Sequence, residues 1–250
     1  MPQDFTVRPA RADDAGAIAD FADVRRRIYQ AYSPVFWRPA ADARMHHAPF
    51  LAACLADGHH TAFVAESRGV VVGAAIANHR VRVPPFALDD KASWLVDDFY
   101  VAAPDWWRTV GGALLESVAA AARVSRPDRL IVVSAGRDGA KNAMLQDRAF
   151  RQEATWWVRP LDPPESPVPA EEEPLPMLVG SAPSVYDPGG PVALALDTAP
   201  PFAVDRFERQ ALAAEAVLAI VPVRTAAGTL TEVLAAAGYG VASVWYVRGA

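Results

Sequence analysis

The stretch VDDFYVAAPDWWRTVGGALLESVAAAARV, residues 96–124, decides the fold. Its first six residues have the apolar and aromatic character of a strand, a short loop follows, and Gly111 and Gly112 then open a helix. The first turn of a helix has unpaired backbone N–H groups and a positive dipole end, and glycine lets a ligand approach that backbone closely. The stretch therefore predicts a site for an anionic group, most simply a phosphate.

Strand, loop and glycine pair together resemble the fourth strand and acyl-CoA loop of the GNAT superfamily of acetyl-CoA-dependent N-acetyltransferases, where the loop reads Arg/Gln-x-x-Gly-x-Gly/Ala. Two alignments of the loop are open. With Gly111 as the last glycine, Trp106 takes the Arg or Gln place and Thr109 the middle glycine place. Alternatively, the run Arg108-Thr109-Val110-Gly111-Gly112-Ala113 satisfies the pattern letter by letter but shifts the following leucines off their usual helical phase.

The order of elements extends this resemblance over about residues 5–159. Hydrophobic spacing predicts a strand at 5–8, a helix capped by Asp13 or Asp14, a helix that begins near Pro49, and a hairpin of strands 61–66 and 70–78. The 96–124 stretch, a buried strand at 130–134 and a helix opening at Asp138 follow. We therefore expect a mixed α/β fold, a GNAT-like central mixed sheet flanked by helices.

The C-terminal part repeats the end of the first part. Residues 161–190 hold the run PPESPVPAEEEPLP, which predicts a Pro/Glu-rich linker or surface loop. After it, Ile220, Gly228 and Trp245 match Ile131, Gly139 and Trp156 at one fixed offset, which indicates a partial internal repeat. We therefore divide the chain into a GNAT-like domain, residues 1–160, the linker, and a structural half-GNAT repeat, residues 191–250.

The resemblance implies roles for residues of the strand and loop. An acid on this strand commonly takes a proton from the incoming amine, which makes Asp97 and Asp98 the candidate bases; on a regular strand they point to opposite faces, and Asp97 is favoured. A solvated or ion-paired carboxylate is the equal alternative. The proton-donating tyrosine of the family is replaced by Leu145. The expected acyl-CoA ligands are Phe99, Tyr100, Val101, Trp107, Arg108, Thr109, Val110, Gly111, Gly112 and Asp138.

Four aromatic residues precede the hairpin at positions that border the acceptor cleft in the resembling family. They are Tyr29, Tyr32, Phe36 and Trp37, and they predict either an apolar or cation-binding wall or simply a helix core. The paired histidines His46-His47 and His59-His60 do not chelate one metal from neighbouring helical positions, so no metal site is expected.

Composition restricts the remaining possibilities. The net charge of −5 argues against nucleic acid as a partner, and the lone Cys54 excludes a disulfide framework. No apolar run has the length of a membrane span or of a signal peptide, so a cytoplasmic protein is expected. The resemblance implies transfer of an acetyl or other acyl group from acetyl-CoA to an amine of a small molecule or peptide. The alternative is a GNAT-fold binding or regulatory module that has lost transfer activity.

Overall fold

A computed structural model describes residues 4–80, 82–162 and 173–249. The strands of these residues form one mixed sheet, and helices cover both of its faces, so the predicted fold class is confirmed. The strands are β1 Thr6–Pro9, β2 His60–Ser67, β3 Val70–Asn78, β4 Ser93–Val101, β5 Arg129–Ala135, β6 Arg151–Pro160, β7 Met177–Gly180, β8 Val192–Ala195, β9 Leu218–Arg224 and β10 Gly240–Gly249. The helices are α1 Ala15–Gln30, α2 Ala43–Ala56, α3 Gly112–Ser125, α4 Gly139–Asp147, α5 Val204–Ala213 and α6 Gly228–Ala236.

The first half of the chain holds β1 to β6, and the second half holds β7 to β10. The first half builds its sheet from an antiparallel meander, β1 to β4, with β5 parallel to β4. Side chains alternate across a strand, so Val64 and Ala74 pack under α1 and α2 while their neighbours Ala65 and Ala75 pack under α3. The β2–β3 hairpin turns at Arg68 and Gly69, which both have positive φ as tight hairpin turns require.

The two halves of the chain exchange their last strands. The sheet order is β1-β2-β3-β4-β5-β10-β6-β9-β8-β7. The final strand β10 thus lies between β5 and β6: Trp245 has Val133 of β5 as its Cα partner on one side and Ala154 of β6 on the other. In turn β6 pairs with β9 of the second half. Each half therefore completes the sheet of the other.

The repeat seen in the sequence coincides with the element boundaries. β9, α6 and β10 begin and end 89 residues after β5, α4 and β6, respectively. The parallel pair β4–β5 also has a counterpart in the parallel pair β8–β9. The second half thus repeats the strand–helix–strand unit of the first in the same sheet.

Two local predictions differ from the structure. The second helix begins at Ala43 rather than near Pro49, which lies inside it. Pro49 lacks the N–H that would bond the Met45 carbonyl, but Met45 is largely exposed, so water can satisfy that carbonyl. Residues 161–190, predicted as a linker, include the edge strand β7 in their described part. An edge strand tolerates the prolines around it because one of its sides makes no ladder bonds.

Candidate active site

The site forms where β4 leaves β5. β4 pairs with β5 over four residues, from Ser93 opposite Arg129 to Val96 opposite Val132. Within the described residues, β4 makes no pairing with β5 after Val96. On the other edge of β4 the pairing with β3 shifts, so that Asp97 and Asp98 together lie opposite the single residue Ile76. Such a bulge re-aims side chains. Both carboxylates therefore line one cavity, and the prediction that they point to opposite faces is wrong.

The cavity has a volume of about 610 Å³, the size that small-molecule sites commonly have. Residues of both halves line it, from α1 and β4 of the first half to β8, β9 and β10 of the second. The Asp97 side chain is exposed, and it lines the cavity, so a water-sized molecule in the cavity can reach its carboxylate.

Asp97 is the less constrained of the two acids. Within the described residues its carboxylate makes no hydrogen bond or ion pair. Burial and the neighbouring Asp98 carboxylate raise the pKa of Asp97 to about 6, although Lys141 and His47 oppose the shift. A carboxylate with a pKa this close to neutrality can both take up and release a proton under physiological conditions.

Asp98 is held in a hydrogen-bonded chain. Burial alone would raise the pKa of Asp98, but hydrogen bonds from His47 and Tyr100, together with the nearby Arg26, hold it below its ordinary value. Arg26 Nη1 lies 3.2 Å from His47 Nδ1. Because arginine only donates, Nδ1 must accept and the His47 proton lies on Nε2, 3.5 Å from Asp98 Oδ1. Asp98 is therefore fixed as an anion beside Asp97.

Lys141 is a functional candidate that the sequence reasoning missed. It belongs to α4 and is 2% exposed, with Nζ 5.1 Å from the Phe99 ring centroid and 5.3 Å from that of Trp107. Burial and the charge of Arg25 lower the pKa of Lys141 to about 7, while the nearby carboxylates oppose the shift. Helical spacing could have indicated its burial: Lys141 lies three and four residues before the buried Met144 and Leu145, and therefore on the same face of α4.

The predicted ligand Asp138 connects α4 to α1. Its carboxylate accepts hydrogen bonds from Arg25 Nη1 at 2.6 Å and from the Tyr29 hydroxyl at 2.9 Å, both on α1. It also caps α4 through the Lys141 amide at 3.3 Å. The start of α4 is thus tied to α1, and Asp138 already has protein partners.

The predicted phosphate loop is a π-helical turn, Trp107–Gly111, that continues into α3. A Cβ atom on Gly111 would lie 2.6 Å from Cε3 of the buried Trp107 ring, and one on Gly112 would lie 1.7 Å from Nη2 of Arg148. Arg148 Nη2 also donates to the Arg108 carbonyl at 2.9 Å. Both glycines therefore make room for side chains of this protein, which occupy the space predicted for a ligand.

The other predicted residues of this region divide between core and surface. Phe99, Val101 and Val110 pack in the main core, and the Tyr100 hydroxyl donates to Asp98. The Arg108 side chain is exposed and pairs with Asp147 at 3.3 Å, and the Thr109 hydroxyl donates to the Trp106 carbonyl at 3.4 Å. The backbone of residues 97–101 keeps an edge without a strand partner on its β5 side, within the described chain.

Three of the four predicted aromatic residues reach the cavity. Tyr29, Phe36 and Trp37 line it together with Asp97, whereas Tyr32 lines a second cleft, with its ring centroid 5.8 Å from that of Tyr29. Trp37 contacts Phe36 and Tyr29 with ring centroids 4.7 and 5.2 Å apart. Tyr186 of the second half completes the cluster, 5.6 Å from Trp37.

In the described ranges, no group of three or more His, Cys, Asp or Glu side chains is arranged to hold a metal ion. None of the helices in these ranges is long and apolar enough to cross a membrane.

Solved structures share this fold. A proposed acetyltransferase from Thermoplasma acidophilum covers 98% of this chain and 100% of its own, with a TM-score of 0.59 and 12% identity. A mutant of the BH1408 protein from Bacillus halodurans covers 58% of this chain and 92% of its own, with a TM-score of 0.50 and 11% identity. The PaiA N-acetyltransferase from Thermoplasma acidophilum, in complex with coenzyme A, covers 60% and 92% with a TM-score of 0.47 and 8% identity.

No sequence model of a protein family matches the chain, and no curated protein sequence is similar to it. The structural similarity nevertheless confirms the resemblance at the level of the fold: this chain has the fold of the GNAT acetyltransferases.

Proposed function

We propose that the protein transfers an acyl group from an acyl-CoA to a primary amine bound in the cavity. The observation that carries the proposal is the position of Asp97, a carboxylate that lines the cavity where β4 leaves β5 and has no hydrogen-bond or ion-pair partner among the described residues. Its pKa, raised to about 6, suits a general base. Acetyltransferases that share the fold make acyl transfer the expected reaction class. The cavity volume favours a small-molecule amine over a peptide.

Acyl-CoA fits the residues in part. The open backbone edge of residues 97–101 lies inside the molecule, where an extended chain could satisfy it by hydrogen bonds. The glycine positions fit less well, because Trp107 and Arg148 occupy the space beside them. Arg148 and Arg108 are instead the cations of this region that would face phosphate groups.

In this mechanism the chain supplies proton transfer and positioning. A bound acyl-CoA would bring an activated acyl thioester. Asp97, once ionised, takes a proton from the ammonium group of the acceptor and leaves the neutral amine that the reaction needs. Attack of this amine on the acyl carbon would break the thioester C–S bond, and the departing thiolate would take up a proton. Lys141 on α4 holds a proton at Nζ, and its pKa of about 7 would allow it to supply that proton near neutral pH. The chain formed by Arg26, His47 and Asp98 fixes the bulge that aims Asp97.

The test is release of coenzyme A thiol from acetyl-CoA in the presence of primary amines. Asp97→Asn should lower kcat by roughly two to four orders of magnitude, the usual contribution of a general base. Asp13→Asn, at an exposed aspartate before α1 that does not line the cavity, is the matched control and should keep full activity. Equal rates for Asp97→Asn and the native protein would remove Asp97 from the mechanism.

The rate should also depend on pH in a defined direction. Because the pKa of Asp97 is raised to about 6, the fraction of ionised base, and with it kcat/KM, should increase as the pH rises through this value. A profile of kcat/KM from pH 5 to pH 8, measured with one amine, would show this limb. A profile that is flat between pH 5 and pH 7 would contradict it.

A second candidate is a binding module without transfer activity. It is favoured by one observation, the occupation of the glycine positions by Trp107 and Arg148. Calorimetric binding of coenzyme A with no thiol release across a panel of amines would support this candidate.

A further inference from the structure

The cavity divides into a charged end and an apolar end. Asp97, Asp98 and Lys141 lie at the end formed by the first half, together with Arg25, Arg26 and the histidines His46, His47 and His60. Of these groups, Arg25 is paired with Asp138, and Asp98 is bonded to Tyr100 and lies beside His47. Among the described residues, Asp97 is thus the carboxylate of this end that no side chain pairs, and it can meet a cationic ligand.

An aromatic row leads away from this end. Trp156 and Trp245 stack with ring centroids 4.8 Å apart, and the Phe36 ring meets Trp156 edge-on at 6.4 Å. Every indole N–H of this wall is already bonded inside the protein: Trp156 to the Pro84 carbonyl at 3.0 Å, Trp245 to Ser243 Oγ at 3.0 Å, and Trp37 to the Ala242 carbonyl at 3.2 Å. The wall therefore offers ring surface to a ligand and no indole donors.

The second half supplies the rest of the apolar end. Leu178 of β7, Leu194 of β8 and Ile220 of β9 line the cavity. Val192 and Leu194 alternate along β8, as Leu218 and Ile220 do along β9, so one face of the second half's sheet continues the cavity wall. The C-terminal repeat is therefore part of the binding site as well as of the sheet.

On this basis, and resting on the proposed function, we propose that the acceptor is a hydrophobic primary amine. Its ammonium group lies at Asp97, and its extended apolar body lies along the Trp156–Trp245 wall and the β7–β9 side chains. A polyamine or a polar amino sugar does not match this division, because its second polar or cationic group would lie along a wall of rings and aliphatic side chains, where the hydroxyl residues Ser181, Ser184 and Tyr186 offer no opposite charge. The second half determines which amines are accepted.

Binding to the protein alone tests this inference without turnover. Calorimetric Kd values for n-propylamine, n-butylamine, n-hexylamine and n-octylamine should fall roughly fourfold per added methylene until the cavity is full, because each methylene leaves water and the ammonium group stays the same. Spermidine should bind more weakly than n-octylamine. Affinity that does not change with chain length, or tighter binding of spermidine, would overturn the proposal.

Variants separate the two ends. Leu178→Ser and Leu194→Ser should weaken n-octylamine about tenfold and leave n-propylamine unchanged. Asp97→Asn should weaken both amines by a similar factor. Leu178 is 58% exposed, so its substitution should not unfold the protein, and Val233→Ser, at an exposed position of α6 outside the cavity, is the matched control. Equal losses for both amines in the leucine variants would place the apolar body elsewhere.

The outcome also separates this inference from the proposed function. If affinity rises with chain length but no amine releases coenzyme A thiol, the transfer reaction is wrong and the hydrophobic amine site stands. If thiol is released equally well with short and long amines and Kd does not change with length, transfer stands and the hydrophobic acceptor is wrong.

Discussion

At the scale of single residues, Asp97 and Lys141 are charged groups kept in surroundings that oppose their charge. Burial raises the pKa of one and lowers the pKa of the other, and within the described residues no carboxylate lies within ion-pair distance of Lys141 Nζ. Charged groups that destabilise a fold and also line its cavity are typical of functional sites, which supports a functional role for both residues.

Asp97→Asn should therefore stabilise the protein while it lowers activity. The pKa of Asp97 is about 6 in the folded protein and near 3.8 when unfolded, so the native protein loses stability as the pH rises from about 4 to 6. The asparagine variant lacks this loss. Its advantage in melting temperature should be absent near pH 4 and complete above pH 6, and an advantage independent of pH would show that Asp97 is not the cause.

Lys141→Met should show the opposite pH dependence. Because the pKa of Lys141 falls to about 7 in the folded protein, the native protein gains stability as the pH rises from 7 towards 10. Methionine is of similar size and uncharged, so its advantage in the free energy of unfolding should be largest below pH 7 and shrink towards pH 10. Urea denaturation at pH 6.5 and pH 9.5 would measure it.

At the scale of elements, the glycines at the start of α3 are predicted to matter to unequal degrees. Gly111→Ala forces a methyl group against the fully buried Trp107 ring and should cost about 1–3 kcal/mol. Gly112→Ala displaces only the mobile end of Arg148 and should cost about 1 kcal/mol, the value of its bond to the Arg108 carbonyl.

Gly228→Ala, at the start of α6 with open space around it, is the control for these glycine substitutions and should leave stability unchanged or slightly higher. Urea denaturation of the three variants would rank them. A native-like Gly111→Ala protein would contradict the packing of Trp107.

The sequence predicted the elements well and their tertiary environment less well. The apolar runs of β5 and β9 and the constant offset of the repeat are local signals, readable without a partner. The bulge at Asp97 was not readable, because it depends on how β4 pairs with β3. The burial of Lys141 depends likewise on Trp107 and Phe99, which are distant in the chain. The local sequence of α4 alone is also compatible with an exposed lysine.

At the scale of the whole molecule, the strand exchange predicts that the halves do not separate. A fragment of residues 1–160 would lose β10 from between β5 and β6, and β9 from the outer edge of β6. Apolar strands with such open edges aggregate. The fragment should be insoluble or lack a cooperative thermal transition by circular dichroism, whereas a soluble fragment that unfolds cooperatively would show that the first half is independent.

The position of β10 also has a consequence for synthesis on the ribosome. Of the described elements, β10 is translated last, yet it fills a central place in the sheet, beside a strand translated more than a hundred residues earlier. While the intervening residues emerge, β5 has one edge without its native partner, so the nascent chain cannot complete its sheet early. Contacts between such distant residues also form slowly. We therefore expect folding to finish only after translation of β10, with the growing chain as a client of chaperones until then.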